Sequence, residues 1–188
     1  MELKPDTKPE PLPVLIRDMR VEDVMEVYAI EYASFPFPWP VQSFIDELTK
    51  NNYARYIVAA SDEQVIGYSG QWAITGEGHI TTIAVDYGYR RRRVAEQLLV
   101  NQIDFSLGRR SETMFLEVRR YNLPAQRLYA RYRFLPVRVR DRYYRDNEED
   151  AIEMRAEFVA DERFMPNFQR RRRELFESLG LPESVCGK

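Results

Sequence analysis

HITTIAVDYGYRRRRVAEQLL, residues 79–99, is the stretch around which the rest of the chain can be ordered. Its first half is apolar and β-branched, as a strand core is. Its second half places Ala95 and Leu99 on one helical face, continued by Ile103 and Leu107, with Gly108 able to stop the helix. Between the halves stand four consecutive arginines, Arg90 to Arg93. A helix start carries a partial positive charge and unpaired N–H groups, so cations there cost stability unless an anion sits among them. A strand–loop–helix junction is also a common place to hold a phosphate. Two readings stand: an anionic ligand, best a pyrophosphate, or a solvated basic face.

Upstream, VLIRDM (14–19) reads as a short strand, and RVEDVMEVYAIEYASF carries Val21, Val24, Met25, Tyr28 and Tyr32 at helical spacing. FPFPWP (35–40) has three prolines in six residues and must be a loop before the short helix VQSFIDELTK. YARYIVAAS and QVIGYSGQWAIT form a hairpin around the turn DE. Downstream, TMFLEV (113–118) is apolar on both faces apart from Glu117, as in a buried parallel strand. NLPAQRLYARY opens with an Asn cap and an early Pro, a common helix start. FLPVRVRDRYY and DAIEMRAEF alternate as two strands around RDNEE, and PNFQRRRRELFESLGL reads as a helix packed outside the main unit. The order β α α β β β α β α β β α is a mixed-sheet α/β (α+β) layout.

The chain has 188 residues, enough for one domain, and 44% of them are hydrophobic, so a core is expected rather than disorder. A net charge of −2 argues against a protein that coats nucleic acid. Among the cations 24 are Arg and only 4 are Lys, which suits bidentate contacts but also fits a plain compositional bias. A single cysteine, Cys186, excludes a disulfide framework and a multi-Cys zinc site. No long apolar run appears, so neither a membrane span nor a signal peptide is expected, and a cytoplasmic protein is the default. Residues 1–13 read as a flexible Pro-rich tail, 14–160 as the folded domain and 161–188 as a C-terminal helical extension.

Glu117 is the sharpest chemical signal, because a lone carboxylate inside an apolar strand is costly unless paired or functional. A salt bridge to one of the many arginines explains it equally well. His79, the sole histidine, is more simply a satisfied or exposed residue than a catalyst. Phe35, Phe37 and Trp39, and the pair Tyr143 and Tyr144, fit either a pocket mouth or the core. The second arginine run, Arg170 to Arg173, lies beside Glu174 and Glu177 and reads as a solvated or packing face.

Together, IEYASFPFPW, HITTIAVDYGYRRRRVAEQLL, LEVRRYNLPAQRLYARYRF, YY and EDAIEM resemble the RimI type of the GNAT-superfamily N-acetyltransferases, in the right order from about residue 15 to 157. That resemblance implies a mixed central sheet of about seven strands flanked by helices, acetyl-CoA as co-substrate and no metal. It implies transfer to a protein or peptide N-terminus, a ribosomal protein among the candidates, without direct nucleic-acid or membrane binding. It implies that ITTIAV splays from LEVR to admit the pantetheine, with Ile83, Ala84 and Val85 along it. Arg90, Arg91, Arg92, Arg93, Val94 and Ala95 would hold the pyrophosphate, and Asn122 would contact the pantetheine or cap its helix. Glu117 corresponds to the general base and Tyr129 to the general acid. Phe35, Pro36, Phe37 and Trp39, with Tyr143 and Tyr144, would flank the peptide groove. Two departures stand out: Arg93 replaces the loop's central glycine, and Arg133 replaces a glycine after LYARY. The first implies that the Arg93 side chain points away from the ligand or that the loop shifts. It also leaves open a binding module with weakened hold on acetyl-CoA, and an acetyltransferase for a different amine.

Overall fold

In the computed structural model, which describes residues 9–182, Asp62 and Glu63 both take positive φ, 48° and 69°. Such a two-residue turn matches the right-handed twist of the strands it joins. These strands, β2 (Ala54–Ser61) and β3 (Gln64–Ile74), form the expected hairpin and pair from Ser61–Gln64 to Ala54–Trp72, with one irregularity between Ala59 and Ala60. β1 (Leu15–Asp18) closes the outer edge against β2, and β4 (Glu77–Val85) pairs with β3 on the inner side. The helix α1 (Val24–Ser34), preceded by one 3-10 turn, and α2 (Val41–Lys50) lie between β1 and β2 in sequence. After β4 follow α3 (Val94–Gly108), β5 (Thr113–Arg119), α4 (Leu123–Arg131), β6 (Leu135–Tyr144), β7 (Glu149–Glu157) and α5 (Phe164–Leu179). The seven strands make one mixed sheet in the order β1-β2-β3-β4-β5-β7-β6, so the element order and the seven-stranded sheet agree with expectation.

Helices cover both faces. Val24, Val27 and Ile30 of α1 and Phe44 of α2 pack on Tyr56, Val58 and Tyr68 of the hairpin. On the other face Leu98, Leu99 and Ile103 of α3 are fully buried. α3 is buried more widely than the stripe from Ala95 to Leu107, because the sheet, α5 and the N-terminal segment enclose it. Gly108 ends α3, but the left-handed residue beyond it is Arg110, at φ 60°. No helix among the described residues is long and apolar enough to cross a membrane.

Three expectations need correction. The tail over 1–13 is described from residue 9, and that portion is pinned: Leu12 donates to the Arg92 carbonyl (3.0 Å), while the Gln97 amide donates to Leu12 O (2.7 Å) and accepts from Val14 N (3.3 Å). α5 does not pack outside the main unit. Phe164, Phe168, Leu175 and Leu179 belong to the same apolar cluster as Ile103, Met114 and Tyr132. β5 is not buried on both faces: Met114, Leu116 and Val118 are buried, whereas Thr113, Phe115 and Arg119 of the other face are only partly covered. Residues 1–8 of the tail and Cys186 lie outside the described residues.

β4 carries one extra residue where Gly70 pairs with Thr82 and Gln71 with Ile80, leaving Thr81 in a bulge. A Cβ on Gly70 would sit 2.3 Å from the Tyr56 ring and 2.9 Å from Thr81 Oγ1. Tyr56 is itself buried and cannot swing away. Gly70→Ala is therefore expected to cost about 1–3 kcal/mol by overpacking, a fall of several degrees in Tm by calorimetry. An unchanged Tm would show that the bulge has room for a methyl group.

Candidate active site

The bulge at Thr81 bends β4, and just there its ladder with β5 stops. The two strands pair in parallel only from Glu77–Thr113 to Ile80–Leu116. Beyond that point Thr81 to Val85 and Glu117 to Arg119 no longer pair with each other, leaving a gap with open backbone on the β4 side. Ile83, Ala84 and Val85 keep their pairing with β3 on the other side. Arg90 Nε donates to the Val85 carbonyl at 3.0 Å, so that group is already shared with a side chain.

The gap leads to the start of α3. Arg91 and Arg93 both adopt left-handed backbone, φ 65° and 63°. Left-handed residues within a turn make the N–H groups converge, as in anion-binding nests. Arg93 is the N-cap of α3 and provides no side-chain cap, so the first N–H groups of the helix are not claimed by a capping side chain. The arginine side chains mostly turn onto the protein: Arg90 also reaches Ser34 Oγ (3.2 Å), Arg92 the Glu10 carbonyl (3.2 Å) and Arg93 the buried Glu96 (3.5 Å). Arg91 is exposed. What this loop offers an anion is thus its backbone and helix end more than its guanidinium groups, and Val94 and Ala95 form the first turn beneath.

Glycine is favoured at such a position because a left-handed L-residue costs about 1–2 kcal/mol. Glu96 does not depend on Arg93, since it also receives Arg131 Nη2 and the Tyr132 hydroxyl, each at 2.9 Å. Arg93→Gly is expected to leave Tm unchanged or raise it by a few degrees, the strain relieved being partly offset by greater freedom of the unfolded chain. A clear fall would show that the Arg93–Glu96 contact outweighs the strain. Arg133 repeats the pattern: at φ 62° it is the left-handed residue after α4, and its guanidinium is held by Asp161.

At the mouth of the gap the parallel register brings two residues together that lie far apart in sequence. His79 Nε2 is 2.8 Å from Glu117 Oε2, and the imidazole stacks on Phe115 at 4.2 Å between centroids. Arg140 Nη2 lies 3.1 Å from the other oxygen, Oε1. Burial pushes the Glu117 carboxyl up, but the hydrogen bond and charge of His79 and the charge of Arg140 outweigh it and leave the carboxyl below its usual range. The salt-bridge reading of Glu117 is therefore correct as far as it goes, and His79, not singled out for chemistry by its sequence position, is its partner. Among the described residues no cluster of His, Cys, Asp or Glu is arranged to hold a metal.

Tyr129 lies on α4, which starts at Asn122; the Asn122 side chain caps that helix by accepting from Ala125 N at 3.2 Å. Burial pushes the Tyr129 hydroxyl up to about 12, so it stays protonated at neutral pH. Burial pushes the Tyr144 hydroxyl up, and the charge of the Glu117 carboxylate adds to that shift. Arg119 braces Tyr144 with its guanidinium 3.9 Å above the ring while pairing with Asp146 and Glu149. Tyr143 packs edge-on against Tyr144 and remains partly exposed.

The 35–40 loop divides its residues. Phe35 and Trp39 pack against the α1/α2 core, Pro36 is exposed and Phe37 is 67% exposed. A residue missed in the sequence holds this loop: Glu31, buried at the end of α1, accepts from Trp39 N at 2.9 Å and from the Tyr68 hydroxyl. Tyr68 in turn contacts Thr82 on the splayed strand at 3.4 Å, so loop and gap share a brace. A glutamate on the buried face of an otherwise apolar helix was the available signal.

Comparison with known proteins agrees with this fold. Residues 24–134, more than half of the chain, match the acetyltransferase (GNAT) family. A Bacillus subtilis protein provisionally named [ribosomal protein bS18]-alanine N-acetyltransferase is 40% identical over 139 residues, 74% of this chain and 92% of that one. The crystal structure of the Escherichia coli ribosomal-protein-S18-alanine N-acetyltransferase superposes with a TM-score of 0.72 at 27% identity, covering 78% of this chain and 95% of that one. Arabidopsis thaliana NAA60, solved with acetyl-CoA, shares the fold with a TM-score of 0.70 at 20% identity, over 77% of this chain and 98% of that one.

Proposed function

This chain belongs to the GNAT acetyltransferase family, and from that premise we propose that it is an acetyl-CoA-dependent N-terminal acetyltransferase, acting on the α-amino group of a protein that begins with alanine. A ribosomal protein is the substrate class to which the relatives' names point. The observation that carries the reading is the strand gap with a charged carboxylate at its mouth and an anion-binding helix start at its far end. The donor set fits acetyl-CoA: open strand backbone for an amide-rich arm, and uncapped N–H groups for a pyrophosphate. Acetyl-CoA supplies the activated acyl group; no covalent intermediate on the protein is required.

The remaining work is positioning and proton transfer. An α-amino group has a pKa of about 8 against about 10.4 for lysine, so neutralising it at pH 7 costs about 1.4 kcal/mol rather than about 4.6. Glu117, ionised and bonded to His79, takes this proton directly or through one water. His79 fixes the carboxylate's direction. Tyr129 keeps its own proton and donates it towards the departing sulfur. Tyr143, Tyr144 and Phe37 line the approach of the peptide, and Trp39, tied to Glu31, holds the opposite wall. Binding both substrates in line supplies much of the rate by removing translational freedom.

The test has two stages. Calorimetric titration is expected to detect acetyl-CoA binding; none at millimolar ligand would leave a binding module that has lost its cofactor. A peptide beginning with Ala is then expected to be acetylated far faster than an N-blocked peptide with an internal Lys. Equal turnover of the two would replace the N-terminal reading by acetylation of another amine.

A further inference from the structure

On the open face of the sheet, β5 and β7 set two carboxylates opposite each other. Glu117 and Glu153 are register partners in an antiparallel pair, and their side chains are only 8% and 9% exposed. Directly opposed like charges destabilise a sheet. Arg140 of β6 reaches between them: Nη2 lies 2.8 Å from Glu153 Oε2 and 3.1 Å from Glu117 Oε1, and Nε adds a second bond to Glu153 at 3.1 Å. Glu153 is held from its far side by Arg155, 3.7 Å from Oε1, which also pairs with Glu77 at 3.0 Å. Glu117 thereby has its two oxygens assigned separately, Oε1 to Arg140 and Oε2 to His79.

We infer that Arg140 is a positioning residue: anchored by Glu153, it separates two carboxylates that the register places side by side and directs one of them, Glu117, onto His79. This rests on the acetyl-transfer reading of Glu117. The groups around that carboxylate are His79 from β4, Glu153 from β7, and Arg140, Tyr143 and Tyr144 from β6, with Arg155 of β7, paired to Glu77 of β4, beyond Glu153. Arg140 is the cation in direct contact with it. A guanidinium fork spans both carboxylates at once, which a lysine ammonium cannot do as well. Immediately after Arg140 the β6–β7 register slips, and it resumes at Tyr144. The residue that sets the charge of Glu117 therefore also marks where β6 breaks to present the two tyrosines.

Arg140→Gln leaves Glu117 and Glu153 opposed without the cation between them. The lower acid limb of kcat/KM against pH, the one set by Glu117 and lying below that of the substrate amine, is expected to move up by about one unit, while acetyl-CoA Kd stays within about twofold. Arg140→Lys should recover part of the shift. Adding Glu153→Gln to Arg140→Gln should bring the limb back towards the parent, because the second carboxylate is gone. A limb that does not move in Arg140→Gln, a double variant no closer to the parent than the single one, or lost acetyl-CoA binding would each overturn the assignment. Carbon-13 NMR of the Glu117 carboxyl, assigned through Glu117→Gln, reads the same midpoint without turnover. If no peptide is acetylated, the acetyl-transfer reading fails while the NMR midpoint still judges the clamp. Should Arg140→Gln fail to fold, Glu153→Gln alone leaves Arg140 to Glu117 and is expected to move the midpoint to lower pH; no movement overturns the proposal.

Discussion

Glu117→Gln is expected to lower kcat by roughly 10³-fold, within the range that a positioned general base contributes, with acetyl-CoA Kd nearly unchanged. Glutamine keeps the length and planarity of the side chain. Its oxygen can still accept from Arg140 and its amide can face His79, so the cross-strand scaffold survives. What disappears is a negative, proton-accepting group 2.8 Å from His79. Because Arg140 and His79 together hold the Glu117 carboxyl below its usual range, the parent is fully ionised well below neutral pH. Its activity between pH 6 and 8 should therefore follow the amine's deprotonation, with a pKa of about 8, and the ionisation of Glu117 should show as a separate acid limb below that range. Tyr129→Phe should slow turnover as well, with Kd again little changed, since its hydroxyl is assigned to the leaving sulfur and not to cofactor affinity. If kcat for Glu117→Gln stays within about threefold of the parent, proton transfer by this carboxylate is not part of the rate-limiting chemistry.

The features legible in the sequence are those settled within a few residues. The Asn122 cap, the Pro124 beside it and the DE turn announce themselves locally, and each is found where expected. The order of elements follows from them. The family motifs add the strand gap, which no local period could supply. The His79–Glu117 pair was not legible. It depends on β4 and β5 running parallel with His79 opposite Phe115, a register no local pattern reveals across 38 positions. The same register explains why TMFLEV looked buried on both faces: Phe115 is covered by the His79 ring and by the Arg155 guanidinium at 5.4 Å rather than by a helix. Arg93 is a different case, since its side chain turns onto Glu96 as the sequence reading allowed. The missing glycine was visible, but the chain keeps the left-handed turn and accepts the strain.

Phe164→Ala is expected to cost about 3–5 kcal/mol, as for other fully buried aromatics. For a chain of this length that is a fall of roughly 10 °C or more in Tm, and a large part of the 5–15 kcal/mol that keeps a typical domain folded. The sequence alone argued for a small effect, since a helix packed outside the domain would lose little from one truncation. The structure reverses this. Phe164 is fully buried, 4.5 Å from Phe158 and stacked on Phe168, and Phe168 meets the buried Tyr132. The consequence reaches the active site along two paths. Asn167 donates to the Arg131 carbonyl at 2.9 Å and so satisfies the last turn of α4, the helix that carries Tyr129. Tyr132 bonds Glu96 in the first turn of α3, where the pyrophosphate is proposed to sit. Loosening α5 should therefore weaken acetyl-CoA binding as well as lower Tm, and saturating acetyl-CoA should restore part of the loss by mass action. Arg170→Ala, which removes an exposed pair with Glu174, is the matched control and should move Tm by about a degree at most. If Phe164→Ala behaves like that control, α5 is peripheral to the fold and its contacts with α3 and α4 carry no stability.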